Sequence, residues 1–185
     1  MRLFIAINLP DAEKPRLTHA LQAVAAPDLP ARWVESDSLH ITLKFLGEVP
    51  QARLPAVASA LAGAAADAAA FDVALSGFGA FPSLSRPSIL WVGVQAGPAM
   101  AELHRHIEGA YAPLGFPPDE RAFRPHITVA RVRKDGRIRD RRAMDRMQAD
   151  FDYKTEFRAT SVDLMHSRLG ASRPRYEVLE RMEMH

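Results

Sequence analysis

The chain carries one four-residue pattern twice, as His40-Ile41-Thr42-Leu43 and as His126-Ile127-Thr128-Val129, 86 positions apart in 185 residues. Both copies lie in β-branched, apolar runs, which favour a strand. Strand side chains alternate faces, so His40 and Thr42 share one face while Ile41 and Leu43 share the other. The second copy sorts the same way, with His126 and Thr128 opposed to Ile127 and Val129. Each strand offers an apolar face to a core and a His/Thr face to a cleft. Two such strands in one short chain call for a fold that brings the two polar faces together.

The rest of the pattern repeats around them. Leu3 to Ile7 reads as a strand buried on both faces, followed by a helix that Asp11 would cap, with Leu17, Leu21 and Val24 at helical spacing and Pro27 and Pro30 beyond it. Arg32-Trp33-Val34 reads as a short edge strand, Ser36 to Ser38 as a turn, and His40 to Leu46 as a strand stopped by Gly47. Residues 51–70 form an alanine-rich helical stretch, and Phe71 to Phe81 a strand bent at Gly77 and Gly79. The order then starts again. Ser88 to Val94 is an apolar strand, Gly97-Pro98 opens a helix through Met100, Leu103, Ile107 and Tyr111, and a proline-rich loop leads to the strand His126 to Val132. Asp135-Gly136 is a turn, Arg139 to Ala149 a short basic helix, and Thr155 to His166 and Tyr176 to Met184 are late strands suited to pair. The run Phe4-Ile5-Ala6-Ile7 starts 36 residues before His40, and Trp91-Val92-Gly93-Val94 starts 35 before His126. Two halves, about 3–81 and 88–166, related by an approximate twofold would put both His/Thr pairs in a shared central cleft.

Composition narrows the chemistry. With no cysteine, disulfides, thiolate metal sites and thiol nucleophiles are all excluded. No apolar run reaches the eighteen residues of a membrane span, so a soluble cytoplasmic protein is expected. The formal charge is only +2, but from Arg121 to Arg146 ten Lys and Arg face three Asp. That segment begins beside the second motif and suits an anionic partner, or a solvated arginine-rich loop and helix.

Two imidazoles can divide proton transfer near neutral pH, one accepting from water and one donating to a leaving oxygen. Two threonine hydroxyls can hold an anion between them. A phosphodiester fits this set, because its hydrolysis needs a nucleophile, a protonated leaving group and stabilised oxygens. No metal is implied: neither motif carries the third ligand or the nearby carboxylate of a zinc centre, and a helix turns His104 and His106 apart. His19, His106 and His185 read as surface residues. No glycine-rich phosphate loop supports ATP use, and no cofactor is implied.

The stretches Arg32-Trp33-Val34, Leu39 to Gly47 and Phe123 to Arg131 resemble the 2H phosphoesterase superfamily, and within it the RNA 2′,3′-cyclic phosphodiesterases historically called 2′-5′ RNA ligases. The resemblance covers nearly the whole chain, including the first strand, Trp91 to Val94 and Tyr176. It implies an α+β, bilobal, pseudo-twofold fold: one domain of two interleaved lobes, with two antiparallel sheets, outer helices and a central cleft. It implies metal-free hydrolysis of 2′,3′-cyclic phosphate at RNA ends, tRNA fragments among them, to a 2′-phosphate. On it, His40 is the proton donor, His126 the proton acceptor, and Thr42, Thr128 and Arg131 hold the phosphate. The residues by themselves leave the two histidines interchangeable. Regular alternation turns Arg131 away from the cleft, so it reaches a phosphate only if the strand bends or bulges near Ala130. Lys44 has the parity to line the cleft, or stands as an exposed lysine. Phe45, Phe81 and Phe123 are candidates either to stack a base or to pack in the core. Other readings are a nucleotide- or RNA-end-binding module without turnover, another cyclic phosphate or 2′-5′ oligonucleotide as substrate, and ligation as the reverse reaction. A monomer is expected, since the cleft forms within one chain.

Overall fold

A computed structural model describes residues 1–133, 142–170 and 174–185, with Leu169 through its backbone alone. In chain order the elements are β1 (Arg2–Asn8), α1 (Glu13–Val24), β2 (Ala31–Trp33), β3 (His40–Glu48), α2 (Leu54–Ala65), β4 (Phe71–Phe81), β5 (Ile89–Ala96), α3 (Pro98–Tyr111), β6 (His126–Val132), α4 (Ala143–Asp150), β7 (Lys154–Ala159), β8 (Ser161–Leu169) and β9 (Pro174–Glu183). The strands join in the order β7-β4-β5-β6-β3-β1-β8-β9, with β2 on β6. Every pairing is antiparallel. The two expected antiparallel sheets are thus two halves of one ladder, β7-β4-β5-β6 and β3-β1-β8-β9, related by a pseudo-twofold at the β3–β6 junction. Each half borrows strands: β4, which follows α2, joins β5, and β8, late in the chain, joins β1.

Alternation along the strands separates two faces. Leu3, Ile5 and Ile7 belong to the main core with Leu17 of α1, Leu61 of α2, Leu103 of α3 and Met147 of α4, so all four helices cover one face. Phe4 and Ala6 turn the other way and cluster with Met165 on the open face. The helices form for ordinary reasons. α2 is alanine-rich, and Pro98 starts α3 where its missing N–H costs nothing. α3 buries Met100, Leu103, Ile107 and Tyr111 at the expected spacing, and the Tyr111 hydroxyl donates to the Val57 carbonyl at 2.7 Å, tying α3 to α2.

Several elements differ from the sequence expectation. Asp11 does not cap α1; its carboxylate pairs with Lys14 at 2.9 Å, and the Glu13 amide donates to the Pro10 carbonyl instead. α2 ends at Ala65 rather than running to residue 70. β3 passes through Gly47, which takes φ +69° where a side chain would be strained. The stretch Thr155 to His166 is two strands broken at Thr160; β7 pairs with β4 and only β8 pairs with β9. The Asp135-Gly136 turn and the start of the basic helix lie outside the described residues.

Lys44 shows how one extra residue redirects a strand. Ile5 pairs with Lys44, but Ala6 pairs with Thr42, so Leu43 is the added residue of a bulge. Beyond it the alternation is inverted. Lys44 follows Ile5 to the helix face, and Phe45 follows Phe4 to the open face. Lys44 therefore neither lines the cleft nor reaches solvent. It is 2% exposed, and its Nζ donates to Glu108 Oε2 at 2.6 Å and to the Pro117 carbonyl at 2.9 Å. Removing one partner of a buried pair leaves a buried charge uncompensated, at about 3–5 kcal/mol. Lys44→Met is expected to lose about that much in urea unfolding, and Lys44→Met with Glu108→Leu to recover most of it. Equal loss in both variants would contradict the account.

Candidate active site

Among the described residues β3 and β6 meet at a single backbone pair, Ile41 with Ile127. Both isoleucines are fully buried on the helix face. The antiparallel direction then carries His40 toward Thr128 and His126 toward Thr42, with all four side chains on the open face. All four are partly exposed. The structure thus brings the two His/Thr pairs together on one surface.

The two imidazoles are held alike. His40 Nδ1 lies 2.7 Å from the Ser38 carbonyl, and His126 Nδ1 lies 2.7 Å from the Arg124 carbonyl. A carbonyl only accepts, so Nδ1 donates in both. That fixes the tautomer: Nε2 accepts a proton when the ring is neutral and donates one when it is charged. Nothing in the motif itself signals this lock, because the acceptor is the backbone two residues earlier and its side chain differs between copies.

Each ring also has an aromatic wall. His40 packs against Phe4 at 4.9 Å and meets Tyr176 edge-on at 5.1 Å. His126 meets Phe81 edge-on at 5.0 Å, with Trp91 behind Phe81 at 5.3 Å. Trp91 lies across Gly79, where a Cβ would come within 2.3 Å of the indole. Beside His40, its register partner Asn8 donates to Asp163 Oδ2 at 2.6 Å. Arg181 clasps the same carboxylate at 2.8 and 3.1 Å, and Asp163 is fully buried. Sequence reasoning missed this support. Its trace was a lone acid inside the apolar run Val162-Asp163-Leu164-Met165.

Arg131 does reach the open face, and the reason is a second bulge. Leu90 pairs with Ala130 but Trp91 pairs with Thr128, so Val129 is the added residue. Leu43 and Val129 stand at the same offset from their histidines. Phe45 and Arg131 therefore occupy matching places, five residues after His40 and His126. Phe45 is 63% exposed. Of the other aromatic candidates, Phe81 supports His126 and Phe123 stacks on His104 at 4.0 Å. Arg121, Arg124 and Arg133 of the basic segment are exposed; residues 134–141 lie outside the described residues.

Burial pushes the pKa of His40 down to about 4, the Ser38 carbonyl opposes this, and the positive charges of Arg131 and His126 add to it. Two hollows are lined by other residues. One of about 560 Å³ sits between α1 and β2, beside Leu21, Trp33 and Val129. The other, about 330 Å³, touches Asn8, Met165 and Tyr176. Neither includes a motif histidine. His104 and His106 diverge, the first stacked on Phe123 and the second beside Arg105. Among the described residues no three His, Asp or Glu side chains converge, and no helix is long and apolar enough to cross a membrane.

A His whose folded pKa lies below its unfolded value of roughly 6.5 favours folding fully above that value and loses the contribution as pH falls toward 4. In the free protein, NMR titration is expected to show the His40 ring neutral at pH 6, and acidification from pH 7 to 4.5 to destabilise the wild type more than His40→Gln. A His40 ring titrating near 6.5 would contradict this.

Comparison with known proteins places these features in a family. Residues 9–171 match the family described as the 2′-5′ RNA ligase superfamily. The chain is 41% identical over 129 residues to an RNA 2′,3′-cyclic phosphodiesterase of Geobacillus stearothermophilus, a match that covers 69% of this chain and 41% of that protein. It is 28% identical over 180 residues to the RNA 2′,3′-cyclic phosphodiesterase of Methanothermobacter thermautotrophicus, covering 97% of each. The crystal structure of E. coli LigT complexed with 3′-AMP superposes with a TM-score of 0.79 at 28% identity, over 99% of this chain and 97% of that one. The pseudo-twofold sheet with its paired His-X-Thr-X strands belongs to the 2′-5′ RNA ligase superfamily.

Proposed function

We propose that the protein hydrolyses 2′,3′-cyclic phosphate at RNA ends to a 2′-phosphate, without a metal. The observation that carries this is the convergence of two tautomer-locked histidines and two threonines across the Ile41–Ile127 pair. The names of the relatives, RNA 2′,3′-cyclic phosphodiesterases, support the substrate.

In this reading His126 Nε2 takes a proton from water, whose oxygen attacks phosphorus. The P–O3′ bond breaks and its electron pair stays on O3′, which takes a proton from His40 Nε2. Thr42 and Thr128 donate to the non-bridging oxygens as their charge grows. Arg131 contacts the phosphate, and the exposed Phe45 offers a ring face to the terminal base. His40 must be charged to donate, yet it is neutral in the free protein above about pH 4. A phosphate anion beside His40 favours its charged ring and opposes the burial that keeps it neutral in the free protein, so substrate itself brings the proton to His40. Ligation through a 2′-5′ linkage follows the same path with the 5′-hydroxyl of a second RNA in place of water: His126 takes its proton, its oxygen attacks phosphorus and O3′ leaves with the proton from His40. The same proposal treats the chain as one domain of two interleaved lobes, acting as a cytoplasmic monomer on RNA ends such as tRNA fragments.

The test is incubation of adenosine 2′,3′-cyclic phosphate with wild type, His40→Ala and His126→Ala in the presence of EDTA. Only the 2′-phosphate is expected from wild type, with each variant slower by about 10²–10⁴-fold. A 3′-phosphate product would reverse which oxygen leaves, and binding without turnover would make this a binding module.

A further inference from the structure

The register of β2 places a second arginine beside the site. Arg32 is the backbone partner of Arg131. Their neighbours in the ladder, Ala31 with Val132 and Trp33 with Ala130, all pack against the main core. Alternation then sends Arg32 and Arg131 to the opposite, open face, and both are exposed. The backbone holds this pair in place at both ends: the Val34 amide donates to the Val129 carbonyl at 2.9 Å, and the Arg133 amide to the Pro30 carbonyl at 2.8 Å. A guanidinium fork on this exposed edge suits the paired oxygens of a phosphate.

We propose that Arg32 forms a subsite for the phosphodiester that joins the terminal nucleotide to the rest of the RNA, one strand beyond the Arg131 assigned to the cyclic phosphate. The inference rests on the proposed function. The His/Thr quartet takes the cyclic phosphate, and Arg131 lies close enough for its charge to bear on His40. Arg32 stands one strand further out, about 4.8 Å in ladder spacing. A nucleoside 2′,3′-cyclic phosphate has a single phosphate and leaves this subsite empty. An RNA end has the second phosphate. Arg32 thus separates polymer ends from free cyclic mononucleotides.

The experiment compares kcat/KM for adenosine 2′,3′-cyclic phosphate and for a short RNA ending in the same nucleotide, using wild type, Arg32→Gln and Arg32→Lys. In Arg32→Gln the ratio of RNA to mononucleotide kcat/KM is expected to fall about tenfold, as for loss of a charged hydrogen bond. Arg32→Lys restores part of it. The log–log salt dependence on RNA becomes shallower by about 0.7 in Arg32→Gln, the value for one single-strand phosphate contact. Turnover of both substrates with ratio and slope unchanged in Arg32→Gln would overturn the subsite and leave the proposed function standing. A wild type that turns over neither substrate would overturn both.

Discussion

The site depends on a single contact between two halves of a sheet. Ile41 and Ile127 are the one pair through which β3 and β6 join among the described residues, and both are buried under the helices. Their burial sets the register. Because strand side chains alternate, burying those two isoleucines forces the flanking histidines and threonines onto the opposite face, where the pseudo-twofold sets one motif against the other. The apolar half of each motif is therefore as much a part of the site as the polar half. A one-residue slip at this junction would turn the quartet into the core and four apolar side chains out to solvent.

Two bulges complete the site, and they explain where reading the sequence succeeded and where it stopped. The strands, the helices of the first and second halves, and the His/Thr faces follow from local periodicity, which a sequence carries openly. β4 and β6 begin and end where alternation places them. The bulges at Leu43 and Val129 are set by partners on β1 and β5, and no local pattern encodes a partner's register. Lys44 consequently goes to a buried pair with Glu108 instead of the cleft, while Arg131 reaches the cleft despite its parity. The break at Thr160 was hidden for a related reason: Thr155 to His166 reads as one strand, but β7 and β8 serve opposite ends of the sheet.

Electrostatics follow from this placement. Partial burial in an aromatic wall with Arg131 and His126 nearby keeps His40 neutral in the free protein, while the Ser38 and Arg124 carbonyls fix which nitrogen of each ring faces outward. The two histidines start from the same lock and differ in surroundings. His40 is backed by Phe4, Tyr176 and the Asn8–Asp163–Arg181 network, His126 by Phe81 and Trp91. The motif alone does not contain that asymmetry; under the proposed function it is what separates the acid from the base.

The most direct measurement of the central claim is a crystal structure of the protein with adenosine 2′-phosphate, the product of the proposed reaction. The account predicts one phosphate group with oxygens within about 2.6–3.2 Å of both histidine Nε2 atoms, and with both threonine hydroxyls donating to it. A phosphate held by one motif alone, or bound in the hollow beside Trp33, would contradict it.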